Sequence, residues 1–98
     1  MKEMTTKEVE LLLNKGKKID IIDVRENNEI ITGKIPGALN IPLGIIEFRM
    51  HELDKTREYI IVCRSGARSR VASKFLEYHG YNVIDMTGGM GSWEGIVE

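Results

Sequence analysis

A lone cysteine, Cys63, stands where two differently patterned segments meet. Before it runs Tyr59-Ile60-Ile61-Val62, apolar and rich in β-branched residues, which reads with Cys63 as a buried strand. After it comes Arg64-Ser65-Gly66-Ala67-Arg68-Ser69, a run of small residues punctuated by arginines. A helix follows through Tyr78, with Val71, Ala72, Phe75 and Leu76 on one apolar face. In parallel α/β sheets, ligands bind beyond the carboxyl ends of the strands. The first N–H groups of a helix lack internal partners and carry partial positive charge. Gly66 lets the loop curl so that successive N–H groups face inward as an anion nest. Such surroundings favour a thiolate, the form that attacks sulfur or phosphorus. A lone cysteine is more often an inert buried side chain; the Gly-bearing, Arg-flanked loop that opens a helix reverses that preference here.

The charge distribution agrees. The 98-residue chain has a net charge of -1, so bulk charge names no partner, and 30% charged with 42% apolar residues is an ordinary globular balance. From Cys63 to Lys74, however, Arg64, Arg68, Arg70 and Lys74 meet no Asp or Glu, and beyond Lys74 every charged residue is acidic. A local basic cluster in a neutral chain suits a small anion rather than a nucleic acid, although Arg70 and Lys74 also fit a solvated helix face. No apolar run approaches the roughly 18 residues of a membrane span, and no apolar segment follows Met1-Lys2-Glu3-Met4 as a signal peptide requires. One cysteine allows no intramolecular disulfide. These features point to a cytoplasmic protein in a reducing compartment. His51 and His79 belong to no pattern of metal-ligand spacing, and neither a metal nor a cofactor is expected.

The elements that position Cys63 read as alternating helices and strands within one domain, residues 1–98. Thr5-Thr6-Lys7-Glu8 carries a capping box, followed by a helical stripe of Val9, Leu12 and Leu13 that ends at Asn14 to Gly16. Ile19 to Val24 is a short strand, Glu26 to Thr32 a short helix, and Ala38 to Ile41 a second strand after the Pro36-Gly37 turn. Leu43 to Leu53 has helical spacing. Gly80 suits a left-handed helix end, and Asn82 to Asp85 is a last strand. Alternation of this kind implies a parallel α/β sheet with helices on both faces.

Four segments in order resemble the rhodanese-like domain family: Asp23-Val24-Arg25 with Glu29; Gly33-Lys34-Ile35-Pro36-Gly37-Ala38-Leu39-Asn40-Ile41-Pro42; Cys63-Arg64-Ser65-Gly66-Ala67-Arg68-Ser69; and Gly88-Gly89-Met90-Gly91-Ser92-Trp93. The resemblance spans Ile19 to Trp93. It implies a five-stranded parallel core flanked by helices. It also implies transfer of sulfane sulfur from a small anion such as thiosulfate to a thiophilic acceptor, cyanide or a thiol, through a persulfide on Cys63. The backbone from Arg64 through Ser65, Gly66 and Ala67 to Ser69 would hold the persulfide and the donor's oxyanion, with Arg68 and Arg64 adding charge-assisted hydrogen bonds. Asp23 and Arg25 fit a supporting role, paired with loop backbone or with Glu29, and Trp93 fits core or rim packing. Lys34 departs from the family's usual His, with an effect expected on local packing or hydrogen bonding alone.

Two other functions share these features. Cysteine-dependent phosphatases and arsenate reductases also set a Cys and an Arg around an oxyanion, but their pattern encloses five residues, whereas Cys63 and Arg68 enclose four. A sulfur carrier or docking module for a protein partner is the other reading; such modules often lose the cysteine, and Cys63 is present here, which argues against a purely structural role but not against a protein acceptor.

Overall fold

A computed structural model describes residues 1–98. The capping box forms as the sequence predicts. The Glu8 N–H donates to Thr5 Oγ1 at 3.1 Å and the Thr5 N–H donates to Glu8 Oε1 at 2.9 Å, which starts helix α1 at Thr6–Asn14. The strands are β1 (Lys2–Met4), β2 (Asp20–Asp23), β3 (Leu39–Asn40), β4 (Glu58–Val62) and β5 (Asn82–Met86), and the remaining helices are α2 (Asn27–Ile30), α3 (Ile46–Arg49) and α4 (Ala67–Tyr78). All strands pair in parallel in the order β1-β5-β4-β2-β3. The α/β class and the five-stranded parallel sheet are therefore as expected.

Two elements differ from the sequence reading. Strand β1 is an addition: its side chains carry no apolar run, and it is held by pairing with β5, Lys2 beside Ile84 and Met4 beside Met86. The expected helix over Leu43 to Leu53 breaks into a 3₁₀ turn at Leu43–Ile45, the short α3, and a second 3₁₀ turn at Met50–Glu52. Contacts outside the segment tie down both of its ends. The Leu43 N–H donates to the Val24 carbonyl at 3.1 Å, and the Tyr81 hydroxyl donates to the Met50 carbonyl at 2.8 Å.

Alternation along the strands divides the core in two. Ile22, Val24, Ile61, Cys63 and Val83 pack with Ala72 and Leu76 of α4 and Ile46 of α3 on one face. Ile21, Ile60, Val62 and Met86 pack with Val9 of α1 on the other. Helices thus cover both faces, as a parallel sheet requires. The register sets Asp23 beside Val62 and Asn40, so the exits of β2, β3 and β4 converge at one end of the sheet, where Cys63 lies.

Candidate active site

Cys63 follows the last residue of β4 and is fully buried, its side chain on the α4 face. Gly66 caps α4 in the left-handed region, φ 107° and ψ -14°, a conformation that glycine adopts without strain. That turn aims the Gly66 N–H at Cys63 Sγ, 3.0 Å away. The N–H groups of Arg64 and Ser65, and those of Ala67, Arg68 and Ser69 in the first turn of α4, make no hydrogen bond to the rest of the chain. The loop therefore offers the row of free donors that the sequence suggests.

Residues far along the chain hold this row in place. The Met90 N–H donates to the Cys63 carbonyl and the Gly91 N–H to the Arg64 carbonyl, both at 2.8 Å. Carbonyl and N–H point in opposite directions across a trans peptide. Fixing these two carbonyls toward residues 90 and 91 therefore turns the Arg64 and Ser65 N–H groups the other way. Gly89 makes the close approach possible: a Cβ there would lie on the Arg64 carbonyl and 2.7 Å from the Cys63 oxygen. The Gly88-Gly89 pair belongs to the site as much as the cysteine loop does.

The arginines are not equivalent. Arg68 Nη1 and Nη2 donate to Glu29 Oε1 and Oε2 at 2.6 and 2.8 Å, a bidentate pair joining α4 to α2. Arg25 does not pair with Glu29, as one sequence reading allowed. Its guanidinium instead binds the Asp23 carboxylate, with Nη2 at 2.8 Å from Oδ2, and donates to the Gly33 carbonyl at 2.8 Å. The Arg25 N–H also donates to Asp23 Oδ1. Both residues are buried, so removing either would leave an uncompensated charge under the site. Asn40 Nδ2 ties the strand exits together, donating to the Asp23 and Arg25 carbonyls at 2.9 Å each. Arg64 is exposed and lies in no salt bridge. An open cleft of about 450 Å³ lies beside it, lined by Arg25, Asn28, Glu29, Arg64 and Met90 among others.

The Arg68 guanidinium, followed by the Glu26 N–H, lowers the Glu29 pKa from its ordinary 4.5 to about 2. Proton linkage gives this a direction. The pair's contribution to stability is complete above pH 4.5 and disappears as pH falls from there toward 2. Denaturant unfolding across that window should show a decline in the wild type that is shallower in Glu29→Gln; equal slopes would show that the pair adds nothing in solution.

Lys34 Nζ donates to the Ala38 carbonyl at 3.2 Å and to Glu98 Oε2 at 2.6 Å, and its backbone pairs with that of Glu98 in both directions. It thus ties residue 98 to the segment that follows α2. Trp93 is half-buried against the α1 side, its indole N–H donating to the Ile96 carbonyl at 3.1 Å. His79 packs against Phe75 with the rings tilted by 55° and their centroids 4.5 Å apart. Arg70 reaches toward Glu3 at 3.9 Å, and Lys74 is exposed. No helix is long and apolar enough to cross a membrane.

Comparison with known proteins places this geometry. The chain is 39% identical over 95 residues to the putative sulfurtransferase YtwF of Bacillus subtilis, covering 97% of this chain and 92% of that one. It is 43% identical over 74 residues to a sulfurtransferase of Allochromatium vinosum, covering 74% and 69%. The crystal structure of a rhodanese-like domain protein from Staphylococcus aureus superposes with a TM-score of 0.94 at 35% identity, covering 100% of this chain and 97% of that one. The family model for the rhodanese-like domain matches residues 5–96. With a cysteine seated under a glycine-turned loop at the end of a parallel strand, and that match along nearly its whole length, the chain belongs to the rhodanese-like domain family.

Proposed function

We propose that the protein is a sulfurtransferase that carries sulfane sulfur on Cys63, taking it from a small anionic donor such as thiosulfate. The observation that supports this best is the Gly66 N–H donating to Sγ at 3.0 Å within a loop whose other N–H groups are free. The Cys63 thiolate attacks the outer sulfur of the donor. The donor's S–S bond breaks and sulfite leaves with the electron pair. The resulting Cys63 persulfide lies where the Arg64, Ser65, Ala67, Arg68 and Ser69 N–H groups can stabilise its negative terminal sulfur. A thiophilic acceptor, cyanide or a thiol on a small molecule or a protein, then attacks that sulfur and releases the thiolate. The donor enters through the cleft beside Arg64. Mass spectrometry of the intact protein after incubation with thiosulfate tests the first half-reaction. A gain of one sulfur on Cys63 is expected, and an unchanged mass in folded protein would reject thiosulfate as donor.

Arg64 and Arg68 divide the work. Because the Arg68 guanidinium is already committed to Glu29, Arg64 supplies the free cation for the donor's oxyanion. Arg64→Ala should lower kcat/KM for thiosulfate by roughly 10- to 100-fold, the value of one charge-assisted hydrogen bond acting in the transition state. Arg64→Lys should recover part of it, since a point charge lacks the guanidinium fork. Arg68→Ala should act mainly by releasing the Glu29 carboxylate, which lines the cleft, so that its charge opposes the donor's oxyanion. Its loss should therefore be largely restored in the Arg68→Ala, Glu29→Gln double variant. The comparison that decides is steady-state kinetics of the four variants beside the wild type; equal losses at Arg64 and Arg68 with no restoration would return Arg68 to direct donor binding.

A further inference from the structure

The cleft beside Arg64 does not end there. A second cleft, of about 320 Å³, shares Arg25, Thr32 and Met90 with it and continues past Trp93, Gly95 and Val97. The two form one groove that leads away from the cysteine loop. Its size is in the range that small ligands fill, and it is far longer than thiosulfate or cyanide requires.

The far wall is a strap of chain, residues 94–98, outside every helix and strand. Each part of it is seated. Gly95 lies so close to the Trp93 ring that a Cβ would come 2.6 Å from Cζ2. The Trp93 indole N–H donates to the Ile96 carbonyl. Val97 packs on Gly33, where a Cβ would meet its Cγ2 at 3.2 Å. Glu98 exchanges both backbone hydrogen bonds with Lys34 and accepts from Lys34 Nζ at 2.6 Å. The backbone N–H and C=O groups of Gly95 and Val97, by contrast, make no hydrogen bond within the chain. They border the groove as free donors and acceptors beside the apolar surfaces of Met90 and Trp93.

Charge along the groove is one-sided. Its carboxylates are paired, Glu29 with Arg68 and Glu94 with Lys7 at 2.8 Å, and Arg25 is taken by Asp23. Arg64 is left as the free charge, and once sulfite has gone the donor no longer occupies it. Free backbone groups, apolar side chains and one unpaired cation suit a flexible arm of amide groups that carries a carboxylate.

We propose that this groove is the acceptor subsite: it takes a low-molecular-weight thiol with an extended, amide-bearing, anionic arm, and Lys34, by holding the strap, is a positioning residue that favours such thiols over short ones. The arm lies between Thr32 and the strap, with its thiol at the Cys63 persulfide. The thiol sulfur bonds to the outer sulfur of that persulfide, and the S–S bond to Cys63 breaks. Cys63 leaves as the thiolate with the electron pair, and the thiol proton stays on the released persulfide. This assignment deepens the reading of Cys63 as a sulfur carrier and rests on it.

The test uses glutathione as the probe acceptor and 2-mercaptoethanol as a short one. Wild type, Lys34→Ala and Lys34→Arg are loaded with thiosulfate and checked for the added sulfur by intact mass. Discharge to glutathione should saturate in the wild type. Lys34→Ala should raise the KM for glutathione about fivefold, the value of one net hydrogen bond. Its kcat should not change, the mark of lost binding alone, and neither should its rate with 2-mercaptoethanol. Lys34→Arg, whose guanidinium can still pair with Glu98, should stay within about twofold of the wild-type KM. A second readout needs no loaded sulfur. Trp93 is the only tryptophan, so S-methylglutathione, which cannot react, should change its fluorescence saturably in the unloaded protein. That measurement decides alone if Lys34→Ala does not fold. Four results would each overturn the proposal: no saturable Trp93 response, an unchanged glutathione KM in Lys34→Ala, equal losses with both thiols, or a KM in Lys34→Arg as high as in Lys34→Ala. Wild type that takes no sulfur removes the transferase reading itself. Wild type that loads, and discharges to 2-mercaptoethanol, but gives any of the four results removes this subsite alone.

Discussion

Cys63→Ser should lose sulfur transfer altogether while keeping its fold, with kcat/KM falling about 10⁴-fold or more, the scale seen when a nucleophile is removed. A serine hydroxyl stays protonated at neutral pH and cannot replace a thiolate toward sulfur. The structural cost should be small, about 1 kcal/mol, because the serine oxygen can still accept from the Gly66 N–H that now meets Sγ. Intact mass after thiosulfate treatment, with circular dichroism to confirm folding, checks both halves. Transfer retained in a folded Cys63→Ser protein would remove Cys63 as the sulfur carrier.

Gly89→Ala should damage stability and activity together, although residue 89 carries no chemistry. Gly89 sits at φ 61° and ψ -168°, a region essentially reserved for glycine. The new Cβ would also fall on the carbonyls of Cys63 and Arg64, backbone atoms that cannot move aside alone. We expect a loss of about 2–4 kcal/mol in unfolding free energy. Because relief must come from displacing the 63–64 backbone, the N–H row should turn away from the sulfur. Sulfur transfer should then fall about 100-fold or more even where the variant remains folded, as expected when preorganised donors are misplaced. Denaturant titration and kcat/KM on the same preparation test this. A variant that is destabilised but fully active would show that the Gly-Gly segment supports the fold and not the cradle.

Much of this architecture was legible because it rests on local patterns. The capping box of α1, the β-branched run into Cys63 and the apolar face of α4 each show within a few residues, and each forms. What did not show depends on contacts between distant residues. Strand β1 has only backbone pairing to announce it, and its partner β5 lies at the other end of the chain. The ends of the broken segment between Leu43 and Leu53 are bonded to Val24 and Tyr81, outside it. At the site, the loop from Cys63 to Ser69 and its glycine turn were readable. The commitment of Arg68 to Glu29 was not, since nothing in spacing distinguishes Glu29 as a partner for Arg68 rather than Arg25. Asp85 reads as the polar end of a short strand; its burial follows only once α4 lies across β5.

The hydrogen bonds from Met90 and Gly91 to the loop carbonyls also bear on the order in which the protein is made. Cys63 and its loop leave the ribosome before the residues that orient them. The Cys63 and Arg64 carbonyls stay free until residues 90 and 91 arrive. During synthesis the thiol therefore belongs to an unfinished loop until residues 90 and 91 pair with it.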